Sequence, residues 1–300
     1  MAAAKVVVAG ASGFIGRPLC RALWDNGRRE VHALSRRPDS IAYAYVHVWD
    51  AATPGDWQAA LEGADALINL SGANIAEKRW TKARKRELVD SRLASTKALI
   101  DALSSVKRPP RVFLNASAVG YYGDRGEEEL DESSAPGEDF LAGLCAEWER
   151  AALAAPPNVR AVVLRLGLVL GQGGGALARM LLPFRLGIGG PLGSGRQYMS
   201  WISRDDAVGL ILRLLDAEVS GPVNAVAPEP AANEAFSREL ARALRRPCAF
   251  RVPEKAARLA FGELADVLLG GQRVLPKKAL DAGYVFQHPT LGRALAASLQ

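Results

Sequence analysis

Histidine and cysteine are scarce in this chain. Three of each occur in 300 residues, spread as His32, His47 and His288 and as Cys20, Cys145 and Cys248. No two of them stand at a metal-ligand spacing, so no metal site is expected. The same dispersal argues against a disulfide frame and points to the cytoplasm or another reducing intracellular compartment. No apolar run is long and uncharged enough to span a bilayer, which removes a membrane from the expected partners. Met1 to Lys5 lack the basic-then-apolar pattern of a secretory leader, because the first apolar run already reads as a strand. Aromatic interleaving is missing too. The densest basic stretch, KRWTKARKR at 78–86, carries only Trp80 among its charges. It reads as a solvated helix start partly facing an anion, not as a nucleic-acid surface, and the net charge of +6 needs no further partner.

What is present is an ordinary soluble composition, 49% hydrophobic and 23% charged, in a chain long enough for one large domain or a domain with a smaller lobe. Short apolar runs recur as buried strands: KVVVA (5–9), VHALS (31–35), YVHVW (45–49), DALINL (65–70), RVFLNA (111–116) and VRAVVLRL (159–166). Helical patterns lie between them, clearest in SRLASTKALIDAL (91–103), where Leu93, Thr96, Leu99, Ile100 and Leu103 share one face. This alternation predicts an α/β fold, a Rossmann-like doubly wound parallel sheet, over residues 1–170 with later segments contributing. From 171 the texture turns glycine-rich, and helical patterns at 205–217, 233–245 and 254–269 predict a smaller, mostly helical C-terminal lobe.

The first strand runs into AGASGFIG. Gly10, Gly13 and Gly16 stand between a strand and a helix, the context in which such a motif cradles a dinucleotide pyrophosphate. Gly10 allows the tight turn, Gly13 lets backbone N–H groups approach the phosphates, and Gly16 lets the helix pack on the strand. Ser12 adds a hydroxyl, and Phe14 and Ile15 complete the candidate cradle. The second strand ends in Ser35, Arg36 and Arg37, where an NAD site would carry a carboxylate. A guanidinium pairs with a 2′-phosphate and stacks on adenine. Charge-assisted bonds of this kind contribute roughly 1.5–3 kcal/mol each, about a tenfold to hundredfold preference for NADP. Asp50, after the third strand, is placed to face the adenine amino group. The backbone of Leu70, Ser71 and Gly72, after the fourth, would run past the ribose.

These motifs resemble the extended short-chain dehydrogenase/reductases, and within them an atypical epimerase-family branch labelled 39U. AGASGFIG, LSRRP, NLSGANI, SAVGYYG, FLAGLCAEWE, LRLGLVLGQGGGAL, LPFRLGIGGPLGSGRQ and WISRDDAVG follow the order of that branch. The tail GGQRVLPKKALDAGYVF resembles its small C-terminal domain, here at about 250–297. The resemblance implies an NADP-binding domain and an oxidoreductase or epimerase. It also implies cofactor contacts from Glu87 and Arg92, which otherwise read as surface charges on a helix.

Active members of the wider superfamily pair a serine or threonine after strand five with Tyr-x-x-x-Lys on the next helix. Ser117 is present. The helix carries Leu141 and Cys145, or in a neighbouring register Phe140 and Leu144, so neither phenol nor ammonium stands there. Tyr121 or Tyr122 is the substitute proton donor expected here, with Ser117 holding the substrate oxygen; the alternative is that both tyrosines pack under the small lobe. Cys145 lines the cofactor site by position, since no neighbouring cation in sequence would make it a thiolate. Arg165, Arg185 and Arg196 are candidates for an anionic substrate, and Asp205 or Asp206 for a base or a loop brace. Two functions follow: an NADP(H)-dependent oxidoreductase or epimerase on a small molecule, or a non-catalytic NADP(H)-binding sensor with a protein partner. Arg36→Asp is expected to erase the preference for the phosphorylated cofactor. Unchanged NADPH affinity in a fluorescence titration would remove Arg36 from the site.

Overall fold

The apolar runs become strands of one parallel sheet. The computed structural model describes residues 4–37 and 41–299. Met1 to Ala3 of the leader reading, and Pro38 of the LSRRP motif, lie outside the described residues. Among the described residues the sheet has seven strands: β1 (Ala4–Ala9), β2 (Arg29–Ser35), β3 (Tyr45–Val48), β4 (Ala66–Asn69), β5 (Val112–Ala118), β6 (Arg160–Leu166) and β7 (Gly221–Ala225). They stand in the order β7-β6-β5-β4-β1-β2-β3, all parallel.

The near-continuous valines of β1 are explained by burial on both faces. Val6 and Val8 pack in the layer formed with α1 (Gly16–Asp25) and residues of Arg204–Asp216. Val7 and Ala9 pack in the opposite layer, with α2 (Lys82–Ser105) and Ala152 of α3 (Phe140–Leu153). On α2 the expected face holds: Thr96, Leu99 and Leu103 are buried. Strand order reverses between β1 and β4, and in this topology ligands bind in the crevice that the reversal opens beyond the strand ends.

One strand of this sheet escaped the sequence reading. β7 adds to β6, with Asn224 opposite Arg165. Its sequence, GPVNA, has too few apolar residues for a strand signal, and its Pro222 is tolerated because the strand is at the edge. The C-terminal region is otherwise mostly helical. α4 (Gly175–Arg185), α6 (Asn233–Ala243) and the terminal helix Leu291–Leu299 contribute to a separate core around the fully buried Trp201. The pattern at 254–269 is two helices, Glu254–Phe261 and Leu264–Leu269, because Gly262 turns the chain at φ +60. The glycines of GQGGG close over the Phe14 ring: side chains at Gly171, Gly174 or Gly175 would meet it at 3.1, 2.8 and 2.9 Å. No helix among the described residues is long and apolar enough to cross a membrane.

Asp206 fastens the tail to the sheet. Helix Arg204–Asp216, α5 in chain order, starts at Ser203, whose hydroxyl accepts from the Asp206 N–H and donates to its carboxylate. The same carboxylate accepts from the Tyr284 hydroxyl and from the Gln287 and His288 amides, at 3.0, 2.6 and 3.0 Å. Asp206 is fully buried and Asp205 exposed, so Asp206 is the brace of the two alternatives. Asp206→Ala is expected to cost at least about 3 kcal/mol in urea unfolding, since several buried donors lose their acceptor.

Candidate functional site

The crevice is shaped by backbone contact. Gly10 has φ +77, and a Cβ there would lie 2.6 Å from the Leu70 carbonyl carbon. At Gly16 a Cβ would lie 2.3 Å from the Gly10 oxygen. Glycine is therefore required where β1 turns beneath β4. Among the described residues nothing accepts from the Phe14 and Ile15 amides, which head α1. Free amides at a helix N-terminus, under a cradle that a single methyl would fill, suit a pyrophosphate. Phe14 itself turns its ring to the 171–175 loop and the Arg204 guanidinium, so only its backbone faces the cradle. Arg36 and Arg37 are exposed beyond β2, and the Arg37 amide donates to the Ser35 hydroxyl. Asp50 is exposed, its carboxylate accepting from the Ala52 and Thr53 amides and the Thr53 hydroxyl. These bonds hold its pKa below the usual carboxylate range.

A buried polar network sets the β4 end. The Asn69 amide donates to Asn115 Oδ1 at 2.7 Å and to Thr96 at 3.3 Å, and the Trp148 indole donates to Thr96 at 2.8 Å. Asn69 Oδ1 then accepts from the Ser71 amide, which fixes the segment running over the cradle. Arg92 reaches this segment from α2. It donates to the Ala73 and Leu88 carbonyls and stacks over Trp148 at 5.1 Å, and its Cζ would lie 3.4 Å from a Cβ at Gly72. Burial lowers its pKa. Glu87 points elsewhere, paired with Arg84 at 2.7 Å. Arg84 corrects the reading of the basic stretch as a solvated start, because it is buried and also paired with Glu77.

At the end of β5 lies a buried charged cluster. The Ser117 hydroxyl, 3% exposed, donates to Glu149 Oε1 at 2.7 Å. Arg165 grips the same carboxylate with two bonds, 2.9 and 2.8 Å. Burial alone would lower the Arg165 pKa, and the hydrogen bonds and charge of Glu149 more than offset it. Cys145 stands one turn before Glu149 on α3, within reach of the Ser117 hydroxyl; burial pushes its thiol up to about 11. A thiol so raised is no thiolate, and the sequence reading asks no thiolate chemistry of it.

The two tyrosines part ways. Tyr122 has no exposed surface; its hydroxyl accepts from Arg165 at 2.9 Å, and its one proton lies between Asn224 Oδ1 at 2.7 Å and the Asp131 carbonyl at 3.0 Å. Burial raises its pKa to about 12. It is a brace between β5 and β7, and the expectation of it as proton donor is corrected. Tyr121 is half-buried, its ring covered by the Arg165 guanidinium at 3.5 Å. Of the three candidate arginines, Arg165 is committed to Glu149, and Arg196 is exposed and paired with Glu127 at 3.3 Å; Arg185 is exposed. Glu149 was the residue missed. Its signal was Arg165 itself, a charge set between leucines within an apolar strand run, which must find a buried partner.

A hollow of about 680 Å³ is lined by Tyr121, Glu149 and Arg165 of this cluster, and a separate cleft of about 640 Å³ opens between α2, α3 and the segments 193–194 and 254–270. Leu141 lines it and packs on the turn at Gly120.

Known proteins share this fold. Residues 6–227 match the model of the NAD dependent epimerase/dehydratase family, and residues 252–298 match a domain of unknown function, DUF1731. This chain belongs to that epimerase/dehydratase family. Epimerase family protein Mb2239 of Mycobacterium bovis is 41% identical over 98% of this chain and 97% of its own length. The human epimerase family protein SDR39U1 is 39% identical over 97% of this chain and 98% of its own. The crystal structure of human SDR39U1 (isoform 2) with NADPH superposes with TM-score 0.88, 37% identity and 98% coverage of both chains. A nucleoside-diphosphate sugar epimerase from Corynebacterium glutamicum is 32% identical with TM-score 0.79, over 99% of this chain and 58% of that one. For a family member the crevice at Gly10 is in the expected place, whereas Leu141 and Cys145 stand on α3 where a tyrosine and lysine would be sought. Arg165→Met is expected to cost about 3–5 kcal/mol in urea unfolding, because Glu149 is left buried without its counter-charge. The double variant with Glu149→Met should recover part of that loss.

Proposed function

We propose that the chain is an NADP(H)-dependent oxidoreductase or epimerase acting on a small molecule. The observation that carries this reading is the Ser117 proton, held by a buried carboxylate at the end of β5. The glycine cradle, Arg36 beyond β2, and the human relative crystallised with NADPH support the choice of cofactor. A bound nicotinamide would supply or accept hydride. The chain's own residues then handle the proton. In alcohol oxidation Ser117 Oγ accepts the substrate hydroxyl proton and passes its own to Glu149. In carbonyl reduction the proton travels the other way. Arg165 keeps its charge throughout and holds the Glu149 carboxylate in place. Leu141 and Cys145 form the apolar wall that keeps water from this path. Three free cysteines, two of them buried, support a reducing compartment.

A second reading, a non-catalytic NADP(H)-binding sensor with a protein partner, has its own support. α3 offers no phenol or ammonium, Tyr122 is sealed, and Tyr121 is capped by Arg165. The two readings separate in one assay. The enzyme predicts NADPH oxidation with some member of a broad aldehyde and ketone panel. Ser117→Ala should lower kcat about a hundredfold or more while NADPH affinity stays within twofold of wild type. Tight NADPH binding with no turnover across the panel would establish the sensor instead.

A further inference from the structure

The end of α4 buries one face and exposes another. Leu177 and Phe184 turn into the core around Trp201, whereas Leu182 and Leu186, one turn apart, face solvent. The chain winds on to Ile188, whose amide donates to the Pro183 carbonyl at 3.1 Å. A second segment runs alongside. Leu192 bridges Val252 in parallel, the Val252 amide donates to the Pro191 carbonyl at 2.8 Å, and a Cβ on Gly187 would lie 3.5 Å from the Pro247 ring. Phe250 stands on this second segment. Leu182, Leu186, Ile188 and Phe250 are each more than half exposed, and neither hollow described above is lined by any of them. The charge beside them has one sign. Residues 150–204 and 240–253 contain no Asp or Glu. Arg185, Arg245 and Arg246 are exposed on these two segments, and their guanidinium groups have no partner among the described residues. The bordering carboxylates are spent: Glu234 on Arg238 and Arg251, Glu239 on Arg242, Glu254 on Arg258, and Glu77 on Arg84. Arg179, a turn before Leu182, is anchored on the Ala76 carbonyl, and Lys255, exposed just past the second segment, adds to the positive sign.

We infer that this face rests on the surface of a membrane carrying anionic lipids. The lack of a spanning helix does not bear on such a contact, which needs only apolar side chains at the acyl boundary and cations at the level of the phosphates. Four large apolar residues on two neighbouring segments supply the first, and three unpaired arginines the second. Each arginine held at an anionic surface strengthens binding about fivefold. The composition favours lipid over a protein partner. From Leu181 to Leu192 only the Arg185 side chain can form a hydrogen bond, and from Leu244 to Phe250 only Arg245, Arg246 and the weak Cys248 thiol can. A protein interface fixes its register through directed hydrogen bonds spread across it. A fluid array of phosphates needs no register, and apolar side chains with arginines suffice for it. None of these residues belongs to the glycine cradle or the Ser117 cluster, so the inference stands apart from the proposed reaction.

The test is co-sedimentation of the full chain with vesicles of phosphatidylcholine alone and of an equimolar mixture with phosphatidylglycerol. Binding to the mixed vesicles is expected to be at least about tenfold tighter than to the neutral ones, and to weaken as salt is raised, a measurement that needs no variant. Replacing Arg185, Arg245 and Arg246 together by glutamine should weaken mixed-vesicle binding about a hundredfold. Leu186→Ser combined with Ile188→Ser should weaken it at least about tenfold, through the lost apolar contact. All these side chains are exposed, and an unchanged NADPH affinity in a fluorescence titration checks that each variant is folded. Equal binding to both kinds of vesicle, binding to neither, or mixed-vesicle binding unchanged in either variant would overturn the inference. A dimer in sedimentation equilibrium that the serine pair dissolves would also overturn it, because a second copy would then cover the face. Tighter binding to soluble polyglutamate than to the mixed vesicles would do the same, in favour of an acidic protein partner.

Discussion

The buried pair of Arg165 and Glu149 is the interaction on which the β5–β7 half of the molecule depends. Two charges taken from water are tolerated only when each satisfies the other and the remaining hydrogen-bonding capacity is used. Here the carboxylate receives Arg165 twice and Ser117 once, and the guanidinium also reaches the Tyr122 hydroxyl. β5, β6, α3 and the turn at 119–122 are thereby fixed to one another. Tyr122 passes the connection to Asn224 on β7, so the edge strand is positioned by the same charges. The same pair orients a hydroxyl, since the Ser117 proton is held on Glu149 Oε1.

The opposite half is held by contact rather than charge. β1 and β4 approach so closely at Gly10 and Leu70 that no side chain fits between them. The Asn69–Asn115–Thr96–Trp148 network keeps that approach fixed, since every polar group in it has a partner and no water is needed. The crevice for a dinucleotide is therefore a consequence of sheet topology plus two glycines. The Ser117 end is a separate construction, joined to the first through β5.

Much of the fold was legible in the chain. Six of the strand runs, the α2 face and the cradle could be read because burial on both faces demands valine-rich runs, and a phosphate turn demands glycine. β7 was not legible, because a five-residue edge strand containing Pro222 and Asn224 draws its stability from β6 and Tyr122 rather than from its own side chains. The reading of Lys78–Arg86 as solvated failed at Arg84 for a related reason. A buried arginine differs from an exposed one only by the carboxylates that come to meet it, Glu77 and Glu87.

The sequence by itself determined the α/β alternation, the nucleotide cradle, the basic end of β2 and the absence of a Tyr-x-x-x-Lys pair. Each of these is local, set by residues a few positions apart and by the backbone angles they permit. Only the tertiary structure decided which tyrosine is sealed and that Glu149 stands behind Ser117. Those facts join residues 16 to 102 positions apart in the chain. Charge and burial act through space, and no local pattern records which distant groups will share a cavity.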